Sequence, residues 1–136
     1  MTSPTGTGSF AITFQGMIRM ATIRDLVGAI RKREGVEAVV VLGRDGLVID
    51  SQTSDGLAPD DLAAHVPSVL TAADELGTAA GRGALATAVL EHEHGLAIVS
   101  VLSDEALLLV LARPNPNLGQ LLFELRRNRE HIAALV

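Results

Sequence analysis

Two β-hairpin signatures on either side of a charge-free stretch restrict this chain more than any other feature. The first is Ala38-Val39-Val40-Val41-Leu42, then Gly43-Arg44-Asp45-Gly46, then Leu47-Val48-Ile49-Asp50; the second runs from residues 96–102 through Ser103-Asp104-Glu105 into residues 106–112. Asp45-Gly46 supplies the positive φ that a tight hairpin turn requires. The last two strands are apolar at almost every position, so no wet face alternates with a dry one and both faces of their sheet must be covered. Between the hairpins, residues 62–73 contain no Asp, Glu, Lys or Arg, and His65 is their one titratable side chain. A helix with so little charge reads as one that meets a partner, because contiguous apolar surface usually marks an interface.

A chain of 136 residues is expected to form one domain that buries roughly two-thirds of its extended surface. Hydrophobic residues make up 48% of it and mean hydropathy is +0.34, yet no run approaches the ~18 apolar residues that membrane insertion needs. The lack of cysteine excludes disulfides, thiolate catalysis and zinc thiolate sites, and fits a cytoplasmic protein. A net charge of −5, with Lys32 the single lysine, argues against nucleic acid, and three Phe without Trp or Tyr leave little to stack on bases.

Residues 1–20 are rich in Gly, Ser and Thr and read as a flexible tail without the marks of a secretory signal; Phe10, Ile12 and Phe14 alternate as in a short edge strand. Residues 21–136 form the domain. Its first helix starts at Thr22, a cap with Asp25 three positions on, and carries Ile23, Leu26, Val27 and Ile30 at helical spacing, with Arg24, Arg31, Lys32 and Arg33 on the other face. Gly35 suits its left-handed cap. Pro59-Asp60-Asp61 opens the second helix, in which Leu62, Val66, Val69, Ala73, Leu76 and Ala80 define the expected core stripe. The opposite face is Ala64, Pro67, Ser68, Thr71, Glu75 and Thr78, and Pro67 threatens a kink. Residues 85–92 are more mixed and read as an edge strand. Asn117 is placed to cap a last helix with Leu118, Leu121, Leu122, Leu125, Ile132 and Leu135 inside and Arg126, Arg127 and Arg129, interleaved with Glu124 and Glu130, on a solvated outer face. The order helix, two strands, helix, three strands, helix predicts an α/β/α sandwich with a five-stranded, mainly antiparallel sheet. Helices one and three share a face, and helix two takes the other. One helix cannot cover such a sheet, so a second copy is the economical cover.

Chemistry finds little footing. No Gly-x-Ser-x-Gly elbow frames Ser51, Ser54, Ser68, Ser100 or Ser103, so no catalytic residue is assigned. His92 and His94 share a strand face but lack a third ligand and read as a polar strand end; no metal is assigned. Asp50, Asp55, Asp60 and Asp61 miss the spacing of a calcium loop. Gly81-Arg82-Gly83 leads into a strand, so no phosphate is cradled and no cofactor is expected.

Val39-Val40-Val41-Leu42-Gly43-Arg44-Asp45-Gly46-Leu47-Val48-Ile49-Asp50, the Ala-rich second helix and the paired apolar strands near the end together resemble the roadblock domain family, the dynein light chain type, to which bacterial MglB-type regulators of Ras-like GTPases belong. The resemblance implies a homodimer joined through helix two and strand three into a continuous sheet, with Leu62, Val66, Val69, Leu70, Ala73, Leu85, Thr87 and Val89 at the interface. It implies a small Ras-like GTPase lying across the paired helices, on Ala64, Pro67, Ser68, Thr71, Glu75 and Thr78. The chain would shift the partner's switch loops without being an enzyme itself. Arg44, Arg82 and Arg113 are the loop arginines available as a finger, a device the family pattern does not call for. A passive dimeric scaffold shares all these features. A small-molecule sensor has little polar lining to draw on, so no small-molecule substrate is expected.

Overall fold

The computed structural model describes residues 22–115 and 117–136; the tail expected over residues 1–20, with Phe10, Ile12 and Phe14, lies outside the described residues. The elements are α1 (Ile23–Arg31), β1 (Val36–Gly43), β2 (Val48–Thr53), α2 (Pro59–Ala79), β3 (Thr87–His92), β4 (Gly95–Val101), β5 (Ala106–Ala112), α3 (Leu118–Arg127) and α4 (Arg129–Ala133). The five strands form one sheet in the order β2-β1-β5-β4-β3, with antiparallel pairing throughout. This is the sandwich that the hairpin signatures predict, and β3 is indeed an edge.

The central strands are apolar on both sides because there are two cores. Val39, Val41, Ile98, Leu108 and Val110 pack against Leu26, Val27 and Ile30 of α1 and Leu121, Leu125 and Ile132 of α3 and α4. Val40, Leu42, Val99, Leu107 and Leu109 pack against Ala63, Val66 and Leu70 of α2. Each fully buried Leu or Ile contributes about 1.5–3 kcal/mol relative to leaving it in water.

Both hairpin and helix starts follow from local chemistry. The capping box of α1 is closed in both directions: Asp25 N donates to Thr22 Oγ1 at 3.3 Å and Thr22 N to Asp25 Oδ2 at 3.2 Å. The helix stops at Arg31, and Gly35, with φ +83°, turns the chain into β1 rather than capping the helix itself. Gly46 has φ +88° and lies against α2, where a Cβ would stand 3.4 Å from Pro67 Cγ and 3.6 Å from the Ala63 carbonyl. Pro67 cannot donate to that carbonyl. The helix nevertheless runs unbroken from Pro59 to Ala79.

The structure also corrects the sequence reading along α2, β3 and the last helix. The inward stripe of α2 is Ala63, Val66 and Leu70, whereas Leu76 and Ala80 are exposed. The third strand begins at Thr87, because Leu85 is held by its own N–H, which donates to Asp74 Oδ1 at 2.7 Å. The last helix breaks at Asn128, and Arg129 is not a solvent residue: its guanidinium donates to Thr87 Oγ1 at 3.0 Å. Asn117 occupies the cap position of α3 without a side-chain capping bond, and its own N–H donates to Asn115 Oδ1 at 2.8 Å.

The loop after α2 is held against the helix end. Arg82 N donates to the Gly77 carbonyl at 2.7 Å, and a Cβ on Gly77 would overlap the Gly83 carbonyl. Gly77→Ala should therefore lower the stability by about 1–3 kcal/mol through overpacking against backbone, despite the better helix propensity of alanine. A thermal melt equal to that of the parent would show that the loop moves aside freely.

Candidate partner-docking surface

The outer ridge of α2 is as open and as poor in charge as the sequence suggests. Ala64, Ser68, Thr71, Glu75 and Thr78 are exposed, and Pro67 is half-buried against Gly46. Thr71 does not offer its hydroxyl to solvent alone, since Oγ1 donates to the Pro67 carbonyl at 3.0 Å. Glu75 is the only charge in the set.

The flank of α2 facing β3 is apolar. The helix lies over the β1–β2 half of the sheet, so the β3–β4 half of that face is covered only by this flank. A cleft of about 270 Å³ runs between Leu62, His65, Val66 and Val69 on α2 and Leu90, His92, Ala97, Val99, Leu109 and Leu111 on the sheet. A second, of about 560 Å³, opens beyond it between Ala73, Leu76 and Ala80 and the segment from Ala84 to Val89. The Asp74–Leu85 bond holds that segment beside the helix. Leu76 is 71% exposed and Val89 44%. Leu76 belongs to this surface and not to the core, and Ala84 and Ala86 join it.

Of the residues that the resemblance places at a dimer contact, Leu62, Val69, Ala73, Leu85 and Thr87 are half-buried and Val89 is exposed. Val66 and Leu70 are different: at 3% and 6% exposure they pack mainly on their own sheet, Val66 at the floor of the smaller cleft. Their apolar spacing was visible in the chain, but whether a given residue of an Ala-rich helix points to the sheet or to the flank is set by where the sheet lies.

Other sequence candidates stay apart. His94 pairs with the adjacent Glu93 at 3.0 Å on an exposed turn, beyond the end of the strand that carries His92, so the two histidines do not share a strand face. Among the described residues no three His, Asp or Glu side chains are gathered as metal ligands. Asp61 lies 3.7 Å from His65 on the first turns of α2, both exposed. Arg44, Arg82 and Arg113 are exposed on loops far apart in the chain. Among the described residues no helix is long and apolar enough to cross a membrane.

The sequence reading puts Glu124 on the solvated face of the last helix, and the structure buries it. It is 2% exposed, and both carboxylate oxygens accept from Arg33 Nη1 at 3.4 Å while Gln120 Nε2 donates to Oε1 at 3.0 Å. Burial pulls the Arg33 guanidinium below its usual pKa and the Glu124 carboxylate pulls it back up. The pair ties the end of α1 to α3, supporting the layer opposite α2.

Known proteins share this architecture. MglB of Myxococcus xanthus superposes with a TM-score of 0.74 at 14% identity, covering 83% of this chain and 93% of that one. A Roadblock/LC7 domain from Streptomyces avermitilis does so with a TM-score of 0.73 at 22% identity, covering 84% and 97%. In sequence, the uncharacterized protein MJ1340 of Methanocaldococcus jannaschii is 32% identical over 106 residues, or 78% of this chain and 92% of that protein. The Roadblock/LC7 domain model matches residues 22–112, and with the sandwich, the strand order and the Asp-Gly hairpin in place, the chain belongs to the Roadblock/LC7 domain family.

Proposed function

We propose that the chain is a homodimeric, non-enzymatic regulator of a small Ras-like GTPase. The observation that carries this reading is the apolar surface on α2 and β3, left open on one protomer by a helix that covers half of its sheet. Two copies meeting edge to edge through β3 would pair their free backbone groups, join two five-stranded sheets and shelter Leu76 and Val89. The two α2 ridges would then lie side by side, presenting Ala64, Pro67, Ser68, Thr71, Glu75 and Thr78 twice over. Small side chains with one carboxylate suit close approach by another protein, and the resemblance to MglB-type regulators names a GTPase as the kind of partner. Regulation follows if the platform binds one conformation of the switch loops better than the other, since a ligand moves an equilibrium only by its differential affinity.

The test is direct. The purified chain is mixed with GTPases encoded beside it, and binding and nucleotide turnover are measured in the GDP and GTP states. A regulator changes hydrolysis or exchange and binds the two states unequally. Equal binding with unchanged turnover selects the passive scaffold, and no binding to any of them removes the GTPase from the proposal.

A further inference from the structure

The charges of this chain are sorted by layer. Residues 22–34 and 113–136 hold eight of the eleven Lys and Arg residues but four of the sixteen acids, whereas residues 35–112 hold the other twelve acids against Arg44 and Arg82. Folding turns this division into a polarity in space. The cationic segments supply α1, α3 and α4 on one face of the sheet, and α2 on the other carries Asp60, Asp61, Asp74 and Glu75 with no Lys or Arg.

The imbalance on the α1–α3 face is sharpened by how its acids are used. Asp25 closes the capping box with Thr22. Glu124, which in sequence interleaves the arginines, is buried against Arg33. Glu34 Oε1 accepts from Asn117 Nδ2 at 3.5 Å, and Glu130 alone of the four is exposed without such a bond, three and four positions after Arg127 and Arg126. Lys32, Arg126 and Arg127 are exposed and form no ion pair among the described residues. On α3, Phe123 is 56% exposed, and Arg126 and Arg127 follow it at i+3 and i+4, the spacing that makes helical side chains neighbours.

We infer that the outer face of α3, with Phe123, Arg126 and Arg127, is a docking surface for an acidic protein segment that carries an apolar side chain. Guanidinium forks match carboxylates in charge and geometry, and the exposed Phe123 ring gives the segment something apolar to cover. The rest of the chain is strongly acidic, so an acidic partner is steered to this face and away from α2. This surface lies on the opposite side of the sheet from the α2 ridge and does not depend on the GTPase proposal. A lipid surface fits less well, because the apolar stripe of α3 is inside the core and a single ring is left to insert.

The experiment uses the full chain and a fluorescent probe peptide of Glu and Asp with a central Leu, followed by anisotropy. Binding is expected, weakened about tenfold or more by the pair Arg126→Glu and Arg127→Glu and by added salt. Phe123→Ala should weaken it several-fold without altering the salt dependence. Thermal melts establish that each variant is folded, and Arg126→Gln with Arg127→Gln is read in place of the reversal if that unfolds. No binding by the parent chain, binding unaffected by the arginine or phenylalanine changes, or capture by phosphatidylserine vesicles without capture of the peptide would each overturn the inference.

Discussion

Glu124→Ala should destabilise the fold by about 3–5 kcal/mol, a loss that a denaturant or thermal melt reads directly. Glu124 sits between Leu121 and Leu125 on the inner side of α3 and is 2% exposed. It is tolerated there because Arg33 and Gln120 supply donors to its oxygens. Removing the carboxylate takes the countercharge from a guanidinium that burial already disfavours, and it leaves a void where a side chain filled the helix contact. Glu124→Gln keeps the shape and one acceptor oxygen, so it should fall between parent and alanine. Arg33→Met together with Glu124→Leu replaces the pair by apolar groups of similar size and should recover most of the loss, since an intact buried ion pair often stabilises no more than such a replacement. A cost below ~1 kcal/mol for Glu124→Ala would mean that the pair does not hold α1 to α3.

What could be read in the chain and what could not divide along a physical line. The capping box at Thr22 and Asp25, the Asp45-Gly46 turn and Pro59 at the first turn of α2 depend on neighbours a few residues away, and each is found where the spacing puts it. The two-sided sheet was legible because strands with no polar alternation have no other stable placement. The rotation of α2 was not: Ala63 packs inward while the larger Leu76 does not, and in a helix this rich in small apolar residues the periodicity admits several stripes. Glu124 was illegible for the same reason in stronger form. Its partner Arg33 lies 91 positions earlier, and local spacing placed Glu124 among solvent-facing arginines. On the proposed docking surface, Ala64, Ser68, Thr71, Glu75 and Thr78 were recognisable from composition. Leu76, Ala84 and Ala86 emerged only once the 80–86 loop was seen held beside the helix.

The largest effect on association is expected from Leu76→Glu combined with Val89→Glu. Both side chains are exposed on the protomer, at 71% and 44%, so neither change opens a cavity or buries a charge in the isolated fold, and the melt of the monomer should move by no more than about 0.5 kcal/mol per site. In a two-fold dimer each substitution appears twice. Four carboxylates would then enter an apolar contact without partners, at several kcal/mol for each one that is fully desolvated. Even about 4 kcal/mol in total raises the dissociation constant roughly a thousandfold. Light scattering should therefore report a dimer for the parent and a folded monomer for the variant. Leu47→Glu is the control, since Leu47 is 69% exposed beside β2, at the other edge of the sheet. It should leave the mass unchanged. A dimer that survives both flank substitutions would remove α2 and β3 from the contact, and one that is lost only with Leu47→Glu would place the pairing at the β2 edge.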